Sequence, residues 1–572
     1  MDLPAWIRHE VHAACRGKAL GKDAVIAGFC KFYNRLADIG RRLKDFRSPM
    51  IRQECVLLVN PPWITRDNNI WHGIKGAMPP LSLLSIGAVL ERAGFSVKIL
   101  DAHVDRLSEA EIAREIAAVQ PSFLGITMMT STAIASHRIA QIAKEGDSNI
   151  TVVVGGVHAD ALPDETLRNR SIDFVVRADG EYTMLEICQR KDPSTITGAS
   201  YRADGRVVHN PSRPVLMDLG QLPQYAYHLV PMHKYYPAVG AYRKLPAINM
   251  LMTRGCPGKC IFCNSAETTL RTRPAAKVVD EIIHLRDTYG IREIQFYDDT
   301  FTVMKKNVLE FCRLMEEKKV GVTFSCFART DCLNQEMAMA LKKAGCHQIM
   351  FGVESGSQKI LKILRKDIDL ERTKEAVRLV KKTGMEVRTA FIFGTLGETE
   401  ETIEETLRYA IEIDPDLAIF NITTPYPGTQ FYAWTEANDA LLTKDWWDYE
   451  LGNSIVEIPT ISRAKIRAMY DKAFKAFYNR PKIYLRRLLK IRSLSLLKDT
   501  LEAFTYIVLK QKVGGRGLYK KEWLKHRRED FFDFDFSQPP SPNDARWAKQ
   551  IRDQIEELFP PDTPRETELL PS

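Results

Sequence analysis

The stretch "CPGKCIFC" (256–263) places Cys256, Cys260 and Cys263 within eight positions of a chain that has 11 cysteines in 572 residues. A strand-like run, "INMLMTRG" (248–255), leads into it, so the thiols sit on a loop that leaves a strand. Three soft sulfur ligands on one loop allow several chemistries. Structural zinc as a rule takes four protein ligands, and no second Cys or His pair follows at zinc-finger spacing. A redox CxxC needs no third cysteine. An iron–sulfur cluster is held by thiolates, and three of them leave one iron of a [4Fe–4S] cube open to a substrate or cofactor. Buried, inert cysteines are the remaining reading.

Working outward, strand-like runs recur at "EIQFYDDTF" (293–301), "TFSCFARTD" (323–331), "QIMFGVESGS" (348–357), "EVRTAFIFGTLGE" (386–398) and "LAIFNITTPYPGT" (417–429). Helical stretches such as "AAKVVDEIIHLRDTYG" (275–290) separate them. Six βα units make three quarters of an eight-fold barrel, and functional residues of such a barrel gather at the C-terminal ends of its strands. Upstream, "CVLLVNPPW" (55–63), "SVKILDAH" (96–103), "FLGITMMTS" (123–131), "TVVVGGVH" (151–158) and "IDFVVRADGE" (172–181) are apolar strands that alternate with helices. That pattern predicts a doubly wound parallel sheet, with ligands beyond the carboxyl ends of its strands. No GxGxxG follows the first strand, which argues against an ordinary NAD site.

The composition is that of a globular α/β chain, 45% hydrophobic and 27% charged. The net charge of +9 is mild for this length and gives no argument for nucleic acid. The odd cysteine count suits a reducing compartment, and neither a signal-peptide core nor a membrane-spanning run is visible, so a cytoplasmic protein is expected. Residues 1–50 read as a basic helical extension. Residues 461–572 read as a helical region with basic stretches and an acidic, Pro-rich tail. The basic helices at both ends allow a peripheral membrane contact, although packing on the barrel explains them more simply.

On these residues the chain resembles the cobalamin-dependent radical S-adenosylmethionine (SAM) enzymes, which include class B methylases and the anaerobic magnesium-protoporphyrin ester cyclase. The resemblance is carried by CxxxCxxC after the first barrel strand, by Phe262 before the third cysteine, and by the "GGVH" and "ADGE" strand ends. The "MPPLSLLSIGA" (78–88) entry adds to it. It implies a Rossmann-like cobalamin-binding domain over 51–195, a linker over 196–245 and a partial (β/α)6 radical SAM barrel over 246–460. Cys256, Cys260 and Cys263 would hold a [4Fe–4S] cluster whose open iron binds the amino and carboxylate groups of SAM. Reductive cleavage would give a 5′-deoxyadenosyl radical, and in the methylases methylcobalamin then delivers a methyl group. Asp298 and Asp299 would accept from the SAM ammonium, Arg329 would hold its carboxylate and Glu354 its ribose hydroxyls. Helix capping stands as the plain alternative for the Asp pair, and a surface salt bridge for Arg329.

Cobalamin contacts are expected at Thr130, Ser131, Gly155, Gly156 and Glu181. The Asp-x-His-x-x-Gly pattern of many cobalamin proteins is missing from the first loop, and His103 in "DAHVDR" (101–106) reads as a loop histidine. The expected reaction is methylation of an unactivated carbon of a small-molecule or lipid-like intermediate, with an external electron donor such as flavodoxin or ferredoxin. Radical oxidation or cyclisation without methyl transfer is the alternative, and a cobalamin or SAM sensor without chemistry is the third reading.

Overall fold

Two parallel sheets organise the chain in a computed structural model that describes residues 54–64, 76–238, 240–488 and 521–532. The basic extension over 1–50, the acidic tail and most of the basic C-terminal run lie outside the described residues. The first sheet comprises β1 (Cys55–Asn60), β2 (Ser96–Asp101), β3 (Phe123–Thr127), β4 (Thr151–Gly155), β5 (Phe174–Val176), β6 (Ala199–Ala203) and β7 (Arg206–His209). Their order is β2-β1-β3-β4-β5-β6-β7, and β1 to β5 are parallel. Helices cover both faces, which is why β1 carries four consecutive buried residues, Val56, Leu57, Leu58 and Val59. The strand order reverses between β1 and β3, the place where open α/β sheets take their ligands.

Within the stretch expected as a linker (196–245), β6 and β7 form a hairpin that pairs antiparallel with β5 and lengthens the sheet. The turn is Asp204-Gly205, a favoured hairpin dipeptide. Its flanking residues are too polar for a doubly buried strand, but an edge position asks for less burial.

The second sheet comprises β8 (Ala247–Met250), β11 (Glu293–Phe296), β12 (Thr323–Ala328), β13 (Cys346–Glu354), β14 (Glu386–Phe393) and β15 (Leu417–Ile422), all parallel in the order β15-β14-β13-β12-β11-β8. A short antiparallel ribbon, β9 (Thr253–Arg254) with β10 (Arg271–Thr272), closes the base of the cysteine loop. Behind the sheet, Phe296, Phe311 and Phe324 meet edge to face at 5.3–5.8 Å between ring centroids.

The linker's last residues close the N-terminal end of this half-barrel. Gln295 and Gln348 donate to the carbonyls of Ala241 (2.8 Å) and Gly240 (3.1 Å). Glu293 accepts from the backbone N–H of Arg243 (3.0 Å) and Lys244 (2.8 Å). At the other end of the chain, residues 521–532 return to the helices of the first sheet. Buried Trp523 donates to the Leu107 carbonyl (3.3 Å), His526 meets Glu109 (2.9 Å), Arg528 pairs with Glu165 (3.0 Å) and Phe531 stacks on His137 (5.4 Å). Among the described residues no helix is long and apolar enough to cross a membrane.

Candidate active site

The cysteine loop leaves β9 and is pinned on several sides. The Cys256 N–H donates to Thr268 Oγ1 (2.9 Å), the Ile261 N–H to the Leu364 carbonyl (3.1 Å), and the Phe431 N–H to the Ile261 carbonyl (2.9 Å). A Cβ added to Gly258 would stand 3.2 Å from both Cys256 Sγ and Arg329 Nη1, so the glycine leaves room between a thiol and a guanidinium. Burial pushes the Cys260 thiol up, against the pull of Lys366, and pushes Cys263 to about 11. Among the described residues, no three His, Cys, Asp or Glu side chains close on a point as ligands of one ion do. A cube that offers each thiol its own iron asks for wider spacing. The donor set, three thiols with cations beside them, fits a thiolate-held cluster.

Beside Cys260 lies an ion pair at the end of β13. Glu354 Oε1 is 3.0 Å from Lys366 Nζ, with both side chains about nine-tenths buried. Glu354 has φ +69°, in the left-handed region that a non-glycine residue rarely enters, just where β13 slips register against β14. Such strain persists only where the surroundings hold it, and it gathers at functional sites. A side chain on Gly352 would run into the Glu354 carboxylate and come within 3.2 Å of Lys366 Nζ. Burial alone would pull Lys366 down, yet Glu354 and Cys260 hold it above the ordinary lysine value, so it stays charged. The sequence reading missed Lys366. The signal was there, since a buried carboxylate at Glu354 requires a cationic partner nearby.

The other expected SAM contacts divide. Asp299 is exposed, beside the loop, and accepts from Ser265 Oγ (2.9 Å). Arg329 is forked onto Asp331 at 3.0 and 2.8 Å, a partner only two residues away. Asp298 is buried and spent: it accepts from the Met252 N–H (3.0 Å), the Thr253 N–H and Thr253 Oγ1 (2.7 Å). Burial lifts its carboxyl to about 6, although those donors pull it back. Its work is to anchor the backbone that leads into the cysteine loop, closer to the capping alternative than to a ligand contact.

On the first sheet, the ends of β3 and β4 are laced together. The Met128 N–H donates to the Gly155 carbonyl (2.7 Å), and the His158 N–H to the Met128 carbonyl (3.2 Å). Gly156 has φ +111°, and a Cβ there would lie 2.6 Å from the Met128 carbonyl oxygen. Thr130 is buried with its hydroxyl 3.2 Å from His158 Nδ1, and Ser131 follows it half-buried. Flanking this glycine ledge, Met129 and Val157 are 56% and 50% exposed, a place where a sequence reader looking for polar contacts does not search. Exposed apolar side chains at a strand-end ledge fit a broad, flat ligand such as a corrin. His103 accepts from the Trp63 N–H (3.2 Å), in keeping with a loop histidine.

Glu181 is the exception in the expected cobalamin set. It is buried and bound to Arg254 of β9 (2.7 Å) and to Ser85 (2.5 Å), so its carboxylate joins the two sheets. A second junction lies nearby. Asn264, next to Cys263, donates to the Pro427 carbonyl (2.7 Å), and a side chain on Gly428 would meet Ala161 Cβ at 2.9 Å.

Comparison with known proteins agrees with this geometry. The radical SAM superfamily model matches residues 250–410, and the B12 binding domain model matches residues 71–188. An uncharacterized methyltransferase of Pyrococcus horikoshii is 34% identical over 75% of this chain and 94% of its own. The anaerobic magnesium-protoporphyrin IX monomethyl ester cyclase of Rubrivivax gelatinosus is 29% identical over 71% of this chain and 74% of its own. Among solved structures, the cobalamin-dependent SAM radical enzyme OxsB, with aqua-cobalamin and SAM bound, superposes with a TM-score of 0.60. It is 17% identical and covers 89% of this chain and 80% of its own. The two matched domain types bind a [4Fe–4S] cluster with SAM and cobalamin, respectively.

Proposed function

Because the chain belongs to the cobalamin-binding radical SAM enzymes, we propose that it methylates an unactivated carbon of a small-molecule biosynthetic intermediate. When bound, the cluster supplies the electron that cleaves SAM, and cobalamin supplies a methyl carrier. Cys256, Cys260 and Cys263 hold the cluster, and the Lys366 ammonium offsets thiolate charge beside Cys260. Asp299, steadied by Ser265, takes the SAM ammonium. Glu354 presents its carboxylate to the ribose hydroxyls, and Arg329 offers the SAM carboxylate the part of its fork that Asp331 leaves over. Thr130, Ser131, Gly155 and Gly156 line the corrin's place, with Met129 and Val157 supplying apolar area.

The observation that carries the reading is the bond between the two rims. Arg254, two residues ahead of Cys256, pairs with Glu181 at the start of the helix that follows β5. A cluster loop tied to a corrin ledge serves a reaction in which both take part. The similarity to the ester cyclase favours one second reading, radical oxidation or cyclisation without methyl transfer. The proposal includes a cytoplasmic setting and a flavodoxin or ferredoxin as electron donor. It also includes a peripheral membrane contact through the basic C-terminal run, most of which lies outside the described residues, and liposome flotation at low salt tests it.

The deciding experiment needs no substrate. The anaerobically purified, cluster- and cobalamin-loaded protein receives SAM and a strong reductant, and S-adenosylhomocysteine and 5′-deoxyadenosine are quantified. Both products support methyl transfer. 5′-Deoxyadenosine alone supports oxidation or cyclisation, and neither product from a loaded protein refutes both readings.

A further inference from the structure

The stem of the cysteine loop carries a charge arrangement that the ribbon does not need for itself. Arg254 of β9 stands directly opposite Arg271 of β10. Like charges so placed repel. The counter-charge comes from the other sheet. Asp179 accepts from Arg254 Nη1 (3.3 Å) and from Arg271 Nη1. Glu181 accepts from Arg254 Nη2 (2.7 Å) and from the Ser85 hydroxyl (2.5 Å), and Ser85 Oγ accepts from Arg254 Nη2 in turn (3.3 Å). Glu181 is 6% exposed and Arg254 18%, so the network stands largely out of water. There, removing one partner strands the other's charge.

The same stem is fixed from the barrel side. Asp298 holds the N–H groups of Met252 and Thr253, the residues just before Arg254. One short segment is therefore clamped by the loop after β11 on one flank and by the loop and helix start after β5 on the other, and the three thiols hang from it.

We propose that Arg254, held by Asp179 and Glu181, is a latch that fixes the cysteine loop at one distance from the rim of the first sheet. Arg254 is then a positioning residue. It touches no reacting atom, yet it sets how far SAM, held at the loop, lies from the cobalt. This rests on the reading above and adds to it. Bound SAM has two fates, loss of its methyl group toward the first rim or reductive release of its adenosyl group, and the latch sets their ratio.

The test uses the full-length, loaded protein with Arg254→Gln, Arg254→Lys, Asp179→Asn and Glu181→Gln. Three quantities are read: the ratio of S-adenosylhomocysteine to 5′-deoxyadenosine, the bound cobalamin content by visible absorbance, and amide hydrogen exchange at 253–256 and 176–181 without added SAM. In Arg254→Gln, exchange in both segments should accelerate about tenfold as local opening becomes easier. The product ratio should fall about tenfold, since a misplacement of about 1 Å can cost on the order of 100-fold. Arg254→Lys should fall between, because one ammonium cannot fork onto two carboxylates. Unchanged exchange and an unchanged ratio in Arg254→Gln would overturn the latch. So would a loss of cobalamin from Glu181→Gln alone, which would make Glu181 a corrin contact. If the wild type forms neither product, the functional reading fails, while the exchange experiment still decides the latch.

Discussion

The two rims that face this site are built from different materials. The barrel rim gathers point charges: Lys366, Glu354, Arg329 and Asp299 stand around the cysteine loop. The rim of the first sheet, at the ends of β3 and β4, offers glycines, a buried hydroxyl and two exposed apolar side chains. The difference suits the ligands proposed for each. SAM is small and carries ammonium, carboxylate and sulfonium groups, so it needs partners of defined charge at defined points. A corrin is broad and largely apolar, so it needs area and close backbone approach more than any one side chain.

The sharpest way to break this contrast is to remove one point on each side. Replacing Cys256, Cys260 or Cys263 by Ala should abolish cluster iron and 5′-deoxyadenosine formation, measured by iron content and product assay, while cobalamin still binds the apoprotein. Glu354→Gln should come next, because it leaves Lys366 charged and unpaired at a cost of about 3–5 kcal/mol. Chemical melts should show that loss, and adding Lys366→Met should restore much of the stability without restoring SAM affinity. On the other rim, Gly156→Ala places a Cβ against the Met128 carbonyl at positive φ, at a cost of about 1–3 kcal/mol. Cobalamin affinity should fall while iron content stays at the wild-type level, as titration followed by visible absorbance would record.

The pH dependence sharpens the comparison further. Near the first rim, burial lowers His137 and His158 to about 3, with Glu165 and Arg528 as the charged neighbours of His137. The unfolded chain binds more protons than the folded one between that value and about 6.5, so this contribution to stability is lost as pH falls through that window. The slope is at most about 1.4 kcal/mol per pH unit for each histidine. Beside β14, burial raises Glu398 to about 8. There the sign reverses. The folded chain holds the extra proton, and stability is lost as pH rises from about 4.5 toward about 8. Glu398→Gln should therefore raise the melting temperature at pH 8 and leave it nearly unchanged at pH 4.5, and His137→Gln should flatten the acid limb.

These materials also explain what could be read from sequence. All eleven strands of the two parallel sheets' main runs were visible, because each turns at least one face to the core and is written there in Val, Ile, Leu and Phe. The hairpin β6–β7 was not placed, since an edge strand needs no such run. The cysteine loop stands out in the sequence because its spacing is rare and local. Asp298 and Glu181 were not, because a carboxylate at a strand end reads the same whether it meets a ligand, a backbone N–H or an arginine of another sheet. Only the tertiary partner separates these cases. Met129 and Val157 were overlooked for the opposite reason, since an apolar residue in an apolar neighbourhood gives no signal until its exposure is known.

The return of residues 521–532 to the first sheet carries a consequence for how the chain is made. Trp523 and Leu107, joined by a hydrogen bond, stand 416 positions apart in the chain. During synthesis, the helices around Leu107, Glu109 and His137 emerge first, and the segment that packs on them emerges 416 positions later. Domains fold as they emerge, at about 5–20 residues per second, so this flank stays bare for on the order of half a minute. The nascent chain thus passes through a stage with its first sheet formed and one side unshielded. That stage is where a chaperone would be needed, and where truncation ahead of Trp523 would leave the chain.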